Sequence, residues 1–273
     1  MDHLFGNEAY PIVTSEADII GAYGLPTTRA VILRDEQAWQ QESEVFKSGI
    51  IMNSNPELAK LYHSVDGDTN ARRYAGDVSY TDVINAQQVF EEAGKAAIDV
   101  TPEAAALFEA RMNALRALYG RVHTELYGVH EDESIVGHAM FTPKGGTGRS
   151  PMMHVDDVRM TLHTTFSGAT LKLLNGMTTD LLWDLMDKTK SNALPPQSRD
   201  ANDERLTAMT TDYMDEFSSA HLGDVILMKG QKEVDMSDPD TRREMGAHVS
   251  SPAISFQGQS AAIFYQKKTL DIE

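Results

Sequence analysis

Hydrophobic and polar positions alternate between two periods along the chain. Arg29-Ala30-Val31-Ile32-Leu33 reads as a strand. Asp35 to Lys47 has helical spacing, with Trp39 and Phe46 on one face. Ser54-Asn55-Pro56-Glu57 is a helix start, because Asn caps free amides, Pro suits the first helical position and Glu favours the positive end; a short helix to His63 is expected, broken at Asp66-Gly67-Asp68. Thr81-Asp82 opens a further helix through Glu92. Thr101-Pro102-Glu103 begins the longest one: Phe108, Met112, Leu115, Tyr119, Val122 and Leu126 step by four and three into one apolar stripe, which ends where Gly128 suits a C-terminal cap. Such a stripe is built to pack on a sheet.

From Pro151 to Asn175 the pattern changes to β-like runs of Thr, Leu and Val. Helical spacing returns over 179–190 and again from Asn202 to Phe217, so residues 177–217 read as a helical insertion that covers a site or packs outside it. Gly223-Asp224 turns the chain into the strand Val225-Ile226-Leu227-Met228. After a charged loop, His248-Val249-Ser250-Ser251-Pro252 and the strand Ala261–Tyr265 close the sequence pattern.

At 273 residues, 41% of them hydrophobic, the chain can fill a sizeable core as one domain. A net charge of −17 opposes a nucleic-acid backbone, and no basic cluster exceeds Arg242-Arg243 or Lys267-Lys268, so no nucleic-acid partner is expected. Zero Cys removes disulfides, thiolate metal sites and a Cys nucleophile, and fits a cytoplasmic location. No stretch approaches the roughly 18 apolar residues of a membrane span, and the first residues lack the character of a signal peptide.

The candidate chemistry lies at His154-Val155-Asp156. In a strand, residues i and i+2 share a face about 7 Å apart, so both side chains could serve one metal. Nine His and 41 acidic residues make chance His-x-Asp/Glu matches expected, and three occur. His123-Thr124-Glu125 sits in a helical pattern, where i and i+2 diverge. His130-Glu131-Asp132 lies in a charged connection without a strand pattern beside it. Only His154/Asp156 opens a β-like run. His248, far along the chain, is the candidate third ligand if a later strand returns beside the first. Two imidazoles and one carboxylate leave open positions on a divalent ion, the arrangement of non-haem iron(II) oxygenases. His163 is an odd number of residues from His154 and from Asp156, so a regular strand aims it away, and a core or surface histidine is expected there. Lys144-Gly145-Gly146-Thr147-Gly148 lacks phosphate-loop spacing and reads as a loop at the mouth of the site.

The H-V-D at 154–156, the G-D-V-I-L-M at 223–228, the distal His248 with S-S-P after it and the closing strand, in that order over residues 150–268, resemble the iron(II)/2-oxoglutarate-dependent dioxygenase superfamily. The resemblance implies an α+β fold with a double-stranded β-helix, or jelly-roll, core: a single domain over 1–273, with N-terminal helices and flanking strands in 1–149 and the core, insertion included, in 150–268. It also implies Fe(II) on His154, Asp156 and His248, 2-oxoglutarate as cosubstrate, molecular oxygen as oxidant, and oxidation of a C–H bond in a small molecule; an amino acid or other small carboxylate would suit the Arg residues of the charged loop. The Arg that many members carry on the closing strand is missing: Gln257-Gly258-Gln259-Ser260 stands there. Lys172, in an apolar strand where an amine needs an anion, is the first candidate for the cosubstrate carboxylate. Arg159, with its bidentate fork, is the second, although it too is at odd spacing, and the Thr165 hydroxyl is a further candidate. The missing Arg keeps two alternatives open, a non-haem iron oxidase without 2-oxoglutarate and a non-redox metal-binding cupin acting as isomerase or ligand-binding module.

Overall fold

The computed structural model describes residues 6–53, 77–80, 83–96, 98–129, 133–144, 155–174, 217–233, 248–250 and 257–268. They form a mixed α+β structure with a large, mainly antiparallel sheet. The expected helices at 54–63, 179–190 and 202–216 lie outside the described residues, as do His154, Arg242, Arg243 and Gly145–Gly148.

Four helices occur among the described residues. The first, α1, is Glu16–Tyr23, in a region whose sequence mixes short apolar runs with turns and announces no helix. Helix α2 is Glu36–Gly49, and the Asp35 carboxylate accepts from the Ala38 amide at 2.9 Å. Helix α3 is Ala86–Lys95, starting later than the Thr81-Asp82 signal suggests. The reason is a reciprocal cap: the Asn85 side chain accepts from the Gln88 amide at 3.0 Å while the Gln88 side chain accepts from the Asn85 amide at 2.9 Å. Helix α4 is Pro102–Tyr127, capped by Thr101 and closed at Gly128, whose φ of 81° favours glycine.

Twelve strands are described: β1 Ile12–Val13, β2 Ala30–Leu33, β3 Ile50–Met52, β4 Asp77–Tyr80, β5 Ile98–Val100, β6 Glu133–Thr142, β7 Met160–Gly168, β8 Leu171–Leu174, β9 Phe217–Ser219, β10 Val225–Lys229, β11 His248–Ser250 and β12 Gln259–Lys268. The main sheet runs β1-β2-β10-β7-β12-β6-β4, a smaller one β11-β8-β9, and β3 pairs with β5. The reading that no strand lies beside the charged connection at 130–132, itself outside the described residues, is corrected: a ten-residue strand, β6, begins at Glu133 and pairs along its whole length with β12. Its last seven residues are all buried, so it carries no alternation to announce it. Phe217, expected to end a helix, opens β9 instead.

The stripe of α4 does pack on the sheet. Phe108, Met112, Leu115, Tyr119 and Val122 are buried in one cluster with Leu162 and Phe166 of β7 and Phe264 of β12. The Phe108 ring lies 4.8 Å from that of Phe166 and 5.1 Å from that of Phe141. The Tyr119 hydroxyl donates to the Met160 carbonyl at 3.0 Å, which fixes the helix to the start of β7. On the other face, Ala30, Ile32, Ile226 and Met228 of the main sheet meet Leu171 and Leu173 of β8 in a second cluster. The two sheets are thereby brought together, and the cavity described next opens between them.

Candidate metal centre

Asp156 does not sit in a strand. Residues 155–159 form an irregular segment ahead of β7, held by the backbone that follows β10. Gly230 donates to the Arg159 carbonyl at 2.8 Å, Gln231 to that of Asp156 at 2.9 Å and Lys232 to that of Val158 at 3.1 Å. The Gln231 side chain adds a bond to the Val155 carbonyl at 3.2 Å. The two backbones approach so closely that a Cβ on Gly230 would stand 2.1 Å from the Val158 oxygen and 2.8 Å from that of Asp156. Glycine is required there by space alone.

This anchoring turns the Asp156 carboxylate toward β7. Its Oδ2 accepts from the Thr161 hydroxyl at 2.9 Å, lies 3.5 Å from His163 Nε2 and 3.7 Å from His248 Nε2. The ligating atoms of the three residues all fall within 4.8 Å of one another. His163 and His248 are 7% and 1% exposed, and their rings meet edge-on with centroids 5.2 Å apart. His248 comes from β11, which pairs with β8 so that His248 stands opposite Leu173. The group lines a cavity of about 330 Å³ whose walls include Thr165, Leu171, Ile226, Gln259, Ile263 and Tyr265.

Asp156 and His248, expected to share a site, are brought together. The expectation that His163 faces away is corrected: the odd count assumed a regular strand from residue 154 onward, whereas β7 begins only at Met160. Within β7, Thr161, His163, Thr164 and Thr165 line the cavity while Leu162 and Phe166 join the core under the helices. Thr161, whose hydroxyl bonds Asp156, was concealed by strand propensity, because a Thr in a β-like run reads as a strand former.

Of the three candidate cosubstrate contacts, Thr165 lines the cavity, and Lys172 and Arg159 do not. Lys172 is half-buried on β8, paired with Val249 and Ser219, on the strand position after the lining residue Leu171. The Arg159 guanidinium lies over the Tyr127 ring, 5.7 Å from its centroid. No Lys or Arg is among the described residues lining the cavity. Asp224, which forms part of its wall, is engaged from behind by Arg34 in two bonds of 2.7 Å. Gln259 stands where a closing-strand cation was absent from the sequence, and its amide donates to the Ala169 carbonyl at 2.7 Å. Of the other two His-x-Asp/Glu matches, His130-Glu131-Asp132 lies outside the described residues, and His123 is buried in α4 between Tyr119 and Tyr127, with centroid distances of 5.7 and 4.8 Å.

The donor set suits a metal. One carboxylate and imidazoles are the ligand types that iron(II) and its neighbours in the first transition row accept, and His163 Nε2 is buried without a hydrogen-bond partner. Asp156 and His248 would hold the ion, with His154 as the further ligand expected from the sequence.

No protein-family model matches the chain, and no curated protein does. Among solved structures it is similar to a C-terminally truncated Neurospora crassa protein in apo form, at 10% identity over 94% of each chain and a TM-score of 0.40. A full-length Neurospora crassa protein in complex with alpha-KG and 5-formyluracil is similar at 9% identity, over 93% of this chain and 78% of that one, with a TM-score of 0.40. The Fe(II)/(alpha)ketoglutarate-dependent dioxygenase TqaL is similar at 12% identity, over 93% of this chain and 87% of that one, with a TM-score of 0.38. At that distance the likeness assigns neither activity nor substrate, and the structures that this chain is similar to include iron(II)/2-oxoglutarate oxygenases, the superfamily that its sequence resembles.

Proposed function

We propose that this protein is a non-haem iron(II)- and 2-oxoglutarate-dependent oxygenase that hydroxylates or otherwise oxidises a C–H bond of a small molecule. The observation that carries the reading is the meeting of Asp156 and His248, from distant parts of the chain, at 3.7 Å in the wall of a cavity between two sheets. When bound, iron(II) with 2-oxoglutarate supplies the oxidising power, drawn from oxygen, that an unactivated C–H bond requires.

The chain's own residues have three tasks. Asp156, His248 and His154 hold the ion, and Thr161 fixes the Asp156 carboxylate by donating to its Oδ2. Leu171, Ile226, Ala261 and Ile263 give the cavity apolar walls that exclude water and accept a carbon skeleton. Thr165 offers a hydroxyl to a carboxylate in the cavity. We read the two facing sheets as the sides of a jelly roll within a single domain. An amino acid or other small carboxylate is the substrate class we favour. The charge of −17 argues against a nucleic-acid polymer, and a nucleobase-sized substrate, such as the 5-formyluracil held by the full-length Neurospora crassa protein, belongs in the same screen.

The absence of Lys and Arg from the described cavity lining favours one second reading. In it the metal remains, 2-oxoglutarate is not used, and the protein is a substrate-driven oxidase or a non-redox metal cupin. Anaerobic titration of the metal-free protein with iron(II) and then 2-oxoglutarate separates the two. A weak visible charge-transfer band that is lost in Asp156→Ala supports the oxygenase. Tight iron binding without such a band overturns 2-oxoglutarate dependence and moves the second reading to first place.

A further inference from the structure

We infer that His163 is an inner-sphere ligand of the metal, beside Asp156 and His248. The inference rests on the metal-centre reading above and adds to it a residue outside the His-x-Asp…His pattern.

The placement is fixed by the strand. Thr161 donates to Asp156, so the face of β7 that bears Thr161 is the face of the site, and His163, two residues on, shares it. In the sheet His163 stands between Ile226 of β10 and Ile263 of β12, apolar neighbours that offer its ring no polar partner. Its Nε2 is buried, lacks a hydrogen bond and points at the same carboxylate oxygen that His248 approaches. A buried polar nitrogen left unpaired is destabilising, and a metal bond at that atom would offset the loss.

The spacing agrees. Two ligand atoms about 2.1 Å from one ion lie about 3.0 Å apart at a right angle and about 3.4 Å apart at the tetrahedral angle. The separations of 3.5 and 3.7 Å from Asp156 Oδ2 exceed the tetrahedral spacing by about 0.1 and 0.3 Å and the right-angle spacing by about 0.5 and 0.7 Å. The alternative is a hydrogen bond from His163 to Asp156 without contact with the metal. At 3.5 Å from Asp156 Oδ2, His163 Nε2 makes no such bond in this structure.

The coordination count gives the inference a functional consequence. If His154 also binds, four protein ligands leave two positions on a six-coordinate ion, enough for a chelating oxoacid or for oxygen with one other ligand. A chelate and oxygen together would require one protein ligand to leave. His163 would then set which exogenous ligands the centre can hold at one time.

The test uses the full chain loaded with cobalt(II), whose d–d absorption reports its ligand set. Native protein, His163→Gln and His163→Ala are compared, with circular dichroism to verify the fold of each variant and calorimetric titration to read affinity. Changed d–d band positions in either folded variant, with affinity lowered by more than about 100-fold, the upper range for outer-shell partners, is the expected result. Native band positions in a folded variant, whatever its affinity, overturn the inference and leave the metal-centre reading intact. Failure of the native protein to bind cobalt(II) or iron(II) overturns both.

Discussion

The two faces of strand β7 differ in nearly every property, although they alternate residue by residue. Leu162 and Phe166 enter an apolar core with α4, where Phe46, Phe108, Phe141 and Phe166 approach one another at ring distances of about 5 Å. Thr161, His163 and Thr165 face a cavity lined with carboxylates, imidazoles and an amide. One face is stabilised by excluding water from carbon; the other keeps polar groups buried and partly uncompensated. Stability and chemistry are thus carried by the same strand with a period of two, so single substitutions should separate them.

The largest expected effect is on the core face. Phe108→Ala should lower unfolding free energy by about 3–5 kcal/mol in urea titration while the folded fraction keeps native metal affinity. A large loss of affinity in folded protein would break the separation of the faces. Gly230→Ala comes next: its Cβ must push away the Val158 and Asp156 carbonyls, so both readouts should fall, by about 1–3 kcal/mol in stability and with weakened metal binding. Unchanged metal affinity would show that Asp156 is not positioned through the Gly230 backbone.

Thr161→Val should do the reverse of Phe108→Ala. Loss of the hydroxyl bonded to Asp156 should weaken metal binding by about 10–100-fold, with stability changed by no more than about 1 kcal/mol. The smallest effect lies far from both faces. The Arg121 guanidinium donates to Glu16 and holds its carboxyl below the usual carboxylate range. The folded-state value is depressed, so the contribution is present above the ordinary value of 4.5 and is lost as pH falls through the lower folded value. Both side chains are well exposed, so Glu16→Gln should cost at most a few tenths of a kcal/mol near neutral pH, and less than that in acid.

Several elements were legible because neighbours within a turn specify them. Asp35, Thr101-Pro102 and Gly128 mark helix ends through bonds to backbone three or four residues away. The stripe on α4 has a period that only a helix brings to one face, and Asp224-Val225 announces β10 by a turn followed by an apolar run. Asp156 and His248 were legible as a pair because their types and order resemble those of a known family. Strand β6 was not legible, since a strand buried on both faces loses the alternation that distinguishes it, and Gly137 and His138 interrupt its apolar run.

By itself, then, the sequence marked Asp156 and His248 as candidate ligands and showed where α2 and α4 begin and end, because capping and periodicity are local. Only the tertiary structure decided where those side chains point. The direction of Asp156 depends on hydrogen bonds from Gly230, Gln231 and Lys232, and the direction of His163 on a strand that starts after the irregular segment rather than within it. Lys172 faces away from the cavity wall that Leu171 forms because pairing with β9 and β11 fixes the pleat of β8. Parity counts fail wherever a strand is interrupted, and what interrupts this one is backbone more than seventy residues further along the chain.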